Sequence, residues 1–187
     1  LKGYITDGEG YVNNLKDHGV DIKGKKITVC GGGGAATAIQ VQCALDGARE
    51  ISIFNIRDKF FDRTLATAEA IRRECPGCTV SVFDLEDQAL LTEEIRSSDI
   101  FCNATIVGMK PMDDQSVVRD LSAFHKGLVV SDVVYNPEET KLLREAREAG
   151  CQAIGGKGML MWQGVAAFKI HTGMDMPVEE VRAKFYS

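Results

Sequence analysis

The chain has 187 residues, 44% hydrophobic and 26% charged, with a formal net charge of −5. That balance describes one globular domain with its own core and argues against a nucleic-acid footprint. No apolar run approaches the length of a membrane span, and no signal peptide precedes the first strand, so a cytoplasmic protein with no membrane partner is expected.

The first residues, Leu1-Lys2-Gly3-Tyr4-Ile5, read as the tail of a strand, and Leu1 is not a Met, so something is expected to precede them. Thr6-Asp7-Gly8 leads into a helix over 7–19, where a lone Asp reads as an N-cap. Strands follow near 26–30, 50–55, 79–83, 99–103, 127–132 and 151–154. Helices fall near 35–47, 59–74, 87–97 and 138–149, with two more after 157. The runs Ile27–Val29 and Leu128–Val130 have the character of strands covered on both faces. Helical periodicity puts Phe61, Leu65, Ala68 and Ile71 on one face, and Asp113–Ser116 reads as a surface loop. Alternating β and α units predict an α/β fold with a doubly wound parallel sheet.

Six cysteines are present, and Cys30 and Cys102 fall within or at the ends of strands, where a reduced thiol acts as a small apolar residue. Cys75-Pro76-Gly77-Cys78 has redox-motif spacing, but it sits at a helix end before a strand rather than at a helix N-terminus. No further ligands stand at zinc spacing, and His18, His125 and His171 are far apart, so no metal is expected.

Gly31, Gly33 and Ala36 fit G-x-G-x-x-G/A between the first strand and the second helix. In a dinucleotide fold the first position makes the tight turn, the second lets the backbone approach a pyrophosphate, and the third lets helix and strand pack closely. At the end of the second strand, Asn55-Ile56-Arg57-Asp58 stands where an adenosine ribose would lie. An acid there accepts from the 2′-hydroxyl and repels a 2′-phosphate, while an arginine does the reverse. This chain has both, and Asp58 also reads as the cap of a helix whose first turn is Lys59-Phe60-Phe61. Asn103 to Met109 and Asp132 to Pro137 each follow a strand, as crevice-lining segments or as ordinary turns. Gly155 to Gln163 runs from a glycine turn into an apolar helix, with Gln163 facing either solvent or a substrate.

With these residues in hand, the chain resembles the shikimate dehydrogenase family, and within it the quinate/shikimate branch. The matching elements are Gly3 to Gly8, Gly31 to Ala36, Asn55 to Asp58, Asn103 to Met109, Val133 to Pro137 and Gly156 to Gln163, in family order over nearly the whole chain. The resemblance implies that residues 1–187 are a Rossmann-like NAD(P)-binding domain with terminal helices, and that an N-terminal substrate domain is missing from the sequence. It implies reversible hydride transfer between shikimate or quinate and NAD(P), in the pathway to aromatic amino acids, and a homodimer when full length. Asp7 would be the catalytic residue, paired with a lysine that has no counterpart here; Asp7 and Gln163 would bind substrate. Gly31, Gly32, Gly33, Gly34 and Ala35 would form the pyrophosphate turn, and Asn55, Ile56, Arg57 and Asp58 the ribose site. Met159 with Val133, Val134, Tyr135 and Asn136 would line the nicotinamide side, and Thr105, Ile106 and Gly156 would complete the cofactor set. Two departures stand out: Ile5 where the family usually has Asn, and Ile56 where NADP-dependent members typically have Arg. The expected cofactor is therefore NAD, with NADP possible. The competing readings are another two-domain dehydrogenase, such as methylenetetrahydrofolate dehydrogenase, and a non-catalytic nucleotide-binding module.

Overall fold

In a computed structural model, residues 2–59 and 61–185 are described; Leu1 of the expected strand tail and Phe60 of the expected helix start lie outside them. The strands are β1 (Lys26–Cys30), β2 (Glu50–Asn55), β3 (Thr79–Asp84), β4 (Ile100–Asn103), β5 (Val129–Asp132) and β6 (Gln152–Ile154). The helices are α1 (Asp7–Asp17), α2 (Gly34–Leu45), α3 (Phe61–Glu74), α4 (Gln88–Arg96), α5 (Lys141–Glu148), α6 (Gly156–Thr172) and α7 (Val178–Phe185).

All strand pairs are parallel, in the order β3-β2-β1-β4-β5-β6. The order reverses between β1 and β4, where Ile27 pairs with Ile51 on one side and Ile100 on the other. A crevice beyond the carboxyl ends of these two strands is where such a sheet binds ligands. Side chains alternate across it. Ile27, Val29, Ile51 and Ile53 pack into one core beneath α1, α2, α3 and the start of α6. Cys30, Phe54, Phe101 and Val130 pack into the other, beneath α4 and α5. Burial on both faces is why the central strands have few polar positions. At the opposite pole, Lys26 Nζ pairs with Glu50 and Glu94, both at 2.8 Å, tying β1, β2 and α4 together away from the crevice.

Three local expectations are corrected. Lys2 to Thr6 form no strand; among the described residues no neighbouring strand offers them a ladder, and the Thr6 carbonyl already accepts from Gly10 N at 2.8 Å as α1 begins. Asp7 is the first helical residue rather than the cap, which is Thr6. On α3 the buried stripe is Phe61, Thr64, Ala68 and Ile71, while Leu65 is 40% exposed. The stripe is rotated toward Thr64 because its hydroxyl packs beside Gly32 and Asn55, under the glycine turn.

The Cys75–Cys78 pair joins α3 to β3, and burial pushes the Cys78 thiol up to about 11. A thiol held so far from ionisation is a poor nucleophile at neutral pH.

Candidate functional site

The glycine turn divides its steric demands among separate residues. Gly31 has φ +125°, and a Cβ on it would lie 2.5 Å from the Ala104 carbonyl oxygen and 3.3 Å from Ala36 Cβ. Its N–H donates to Phe54 O at 2.7 Å, and its carbonyl accepts from buried Gln40 Nε2 at 3.0 Å. Gly31 thus makes the tight turn against β4, and Ala36 is the close-packing position. Gly31→Ala is expected to cost about 2–4 kcal/mol through backbone strain plus overpacking, read by thermal denaturation. Gly32 is wedged against Thr64 and Asn55. Gly33 and Gly34 instead face open space. Gly33 is the N-cap of α2 in extended conformation, and no side chain caps it. A helix N-terminus with this clearance suits a pyrophosphate.

At the end of β2, Asn55 is 7% exposed and its Nδ2 approaches Thr64 Oγ1 at 3.4 Å, which braces the turn from beneath. Ile56 is 44% exposed, and Arg57 and Asp58 are also at the surface. The Arg57 guanidinium binds Asp84 Oδ2 at 2.8 Å and lies over the Phe61 ring at 4.7 Å. It is held along the β2–β3 edge.

The ends of the chain meet at a second place. Asp7, Gln163, Met159, Gly156, Tyr135, Val133, Leu160 and Ala35 line one cavity of about 140 Å³. Glycines make this meeting possible. A Cβ on Gly10 would lie 2.7 Å from Gln163 N, and one on Gly8 would collide with the Ala38 carbonyl of α2. Two glycines inside a helix cost propensity, about 1 kcal/mol each, and here they let α1 cross α6 and α2 backbone to backbone. Gly156 is pressed against the Val133 carbonyl, which seats the start of α6 on the β5 loop.

Val133 and Tyr135 also line an adjoining cavity of about 250 Å³ with Thr105, Met109, Lys110, Val134 and Asn136. Ile106 is 66% exposed at the rim and lines neither. Asn103 and Asp132, named in the motifs but given no role, tie the two loops together. Asn103 Nδ2 donates to Asp132 Oδ1 at 3.0 Å and to Val107 O at 2.9 Å. Thr140 Oγ1 donates to Asp132 Oδ2 at 2.7 Å. Burial pushes the Asp132 carboxyl up from its usual 3.8 to about 6, against the pull of its hydrogen bonds. A raised acid pKa in the folded state means that stability falls as pH rises through this window. The parent is therefore expected to lose stability between pH 4 and pH 8, by on the order of 2–3 kcal/mol from this group, as read by urea unfolding at the two pH values.

Two further residues at the site carried no motif. Arg63 donates to the Gly32 carbonyl at 2.7 Å and, with Gly34 and Thr37, lines a groove beside the turn. Lys110 lines the larger loop cavity. A single cation on a helix or in a loop has no spacing that distinguishes it from a solvated surface charge.

The family model for the Shikimate 5′-dehydrogenase C-terminal domain matches residues 156–184. The chain is 50% identical over 182 residues to a quinate/shikimate dehydrogenase of Escherichia coli O139:H28 (strain E24377A / ETEC), covering 97% of this chain and 63% of that protein. A shikimate 5-dehydrogenase from Listeria monocytogenes, solved with shikimate and NAD, superposes with a TM-score of 0.93 at 49% identity, covering 97% of this chain and 62% of that one. A quinate dehydrogenase from Corynebacterium glutamicum, solved with NAD, gives 0.85 at 28% identity over 98% and 62%. The chain thus spans somewhat under two thirds of the length of these relatives. The chain resembles the shikimate dehydrogenase family in sequence and has its Rossmann-like fold.

Proposed function

We propose that the chain is the cofactor-binding part of a quinate/shikimate dehydrogenase, catalysing reversible hydride transfer between shikimate or quinate and NAD(P). The observation that carries this is the meeting of Asp7 and Gln163 in one cavity with Met159, Tyr135 and Gly156, beside the loop cavity at the strand ends. The residues fit a dinucleotide: Gly33 and Gly34 leave a cradle that a larger residue would fill, at the N-terminus of α2. When bound, the nicotinamide cofactor supplies the hydride chemistry. The chain's own task is to orient and to handle a proton. Gln163 holds a substrate hydroxyl, and Asp7, with a lysine from a substrate-binding part outside these residues, takes or returns the hydroxyl proton. The Asn55–Asp58 segment reads the adenosine ribose, and Asp58 favours NAD. The working enzyme is a cytoplasmic homodimer in this reading.

The purified 187-residue chain is expected to bind NAD in calorimetry and to be nearly inactive with shikimate or quinate. Gly33→Ala separates ligand from fold. Its Cβ meets nothing within 4 Å, and its φ of −75° is ordinary, so thermal stability is expected to hold. NAD affinity is expected to fall at least about tenfold, because the methyl occupies the phosphate's approach. No NAD binding at millimolar concentration by a folded sample would overturn the cofactor reading, and robust turnover by this chain alone would overturn the two-part reading.

A further inference from the structure

Asp132 ends β5, is 2% exposed, and is an acceptor three times over. Its Oδ1 receives Val134 N and Asn103 Nδ2, both at 3.0 Å, and its Oδ2 receives Thr140 Oγ1 at 2.7 Å. The direction of every bond is fixed by the next one. Thr140 Oγ1 accepts from Leu143 N at 3.3 Å as the cap of α5, and its one hydrogen goes to Asp132. Asn103 Oδ1 accepts from Thr105 N at 3.1 Å and Thr105 Oγ1 at 2.7 Å, which leaves Nδ2 to face Asp132 and Val107 O. Thr105 Oγ1 in turn accepts from Val107 N at 3.1 Å. Gly108, at φ +102°, brings the same loop down onto Thr140. One carboxylate thus links the α5 cap, the β5 loop and the β4 loop.

This network suits only the ionised acid, because a carboxylate is acceptor-only. A protonated Asp132 carries a hydrogen that the Asn103 and Val134 donors cannot receive. Toward Thr140, it forces the hydroxyl to turn its own hydrogen away. The groups facing Asp132 do not titrate in its place. Cys102 on β4 has its thiol pushed up to about 12 by burial, and Tyr11 of α1, bonded to Ser131, is raised well above its usual value for the same reason. Among the described residues no Lys, Arg or His pairs with Asp132; its bonded partners are the neutral groups of Val134, Thr140 and Asn103.

We propose that Asp132 is a positioning residue for the nicotinamide half of the crevice: its ionised carboxylate holds the Thr105–Met109 and Val133–Asn136 loops in register, and protonation releases them. This rests on the reading of those loops as cofactor-lining. With burial placing the transition at about 6, the device works close to neutral pH.

The test is calorimetric titration of the chain and of Asp132→Asn with NAD and with ADP-ribose, which lacks the nicotinamide ring, at pH 8 and pH 5. Asn keeps the shape and can give its amide hydrogens to Thr140, so it stands in for the protonated acid. For the parent, NAD affinity is expected to fall about tenfold between pH 8 and pH 5, the worth of a lost charge-assisted hydrogen bond. ADP-ribose affinity is expected to change far less, since groups near the adenosine and pyrophosphate act on both ligands alike. Asp132→Asn is expected to bind NAD at pH 8 as weakly as the parent does at pH 5, with no step between them. Equal pH dependence for the two ligands, or an Asn variant with the parent's NAD affinity or profile, overturns the proposal and leaves the cofactor reading standing. Absence of binding by either ligand at pH 8 overturns the cofactor reading and this proposal with it. Should the variant fail to fold, the parent's two profiles decide alone.

Discussion

In an enzyme carrying this chain together with its substrate-binding part, Asp7→Asn is expected to lower kcat by about 10²–10⁴-fold, the usual worth of a positioned acid–base group. The structure removes the plainer role that the sequence allowed. Thr6, not Asp7, is the cap of α1, and no side chain makes a capping bond there. What remains to Asp7 is its place in the cavity with Gln163, Tyr135 and Met159. That place is fixed from behind by Gly8 and Gly10, whose missing side chains let α1 lie directly on α2 and α6. Asn preserves size and one hydrogen-bonding oxygen but cannot carry the proton. Thermal stability and NAD affinity are therefore expected to stay near the parent's while kcat collapses. An unchanged kcat would reduce Asp7 to an acidic residue at a helix N-terminus, worth only about 0.3–1 kcal/mol.

What was legible in the sequence is what has a local cause. The spacing of Gly31, Gly33 and Ala36 announces a turn that needs small residues; in the structure Gly31 turns at φ +125° with Ala36 beside it, and Gly33 has open space around it. The order of strands and helices was legible for the same reason, since hydrophobic period and glycine breaks recur within each unit. The pairing of Asn103 with Asp132 was not, because it joins residues 29 apart whose local appearance is ordinary turn chemistry. The rotation of α3 that exposes Leu65 depends on Thr64 finding Gly32 and Asn55, which no periodicity encodes. Arg63 on Gly32 is of the same kind. Residues that build the site from beneath have non-local causes, and motif spacing does not see them.

Cofactor preference is expected to be NAD over NADP and to be reversible at three positions. Asp58 is at the surface in the turn after β2, and Ile56, 44% exposed, offers a 2′-phosphate no cation. Arg57, the one basic residue of the segment, is drawn away: it pairs with Asp84 at 2.8 Å and stacks over Phe61. Ile56→Arg with Asp58→Ser is expected to add a phosphate partner and remove a like charge. Together these are expected to shift the ratio of NAD to NADP dissociation constants by about 30–150-fold, roughly 2–3 kcal/mol. Asp84→Asn offers an independent arm. It loosens Arg57 without touching the ribose contact, so NADP affinity is expected to rise while NAD affinity holds. The gain is expected to be smaller, since Arg57 is exposed and Asp84 half-buried, and such a pairing is worth at most about 1 kcal/mol. Dissociation constants for the parent and both variants at one fixed ionic strength read the outcome, because phosphate contacts weaken with salt. A double variant whose ratio matches the parent's would mean that the segment after β2 does not read the ribose, and that the preference is set elsewhere in the crevice.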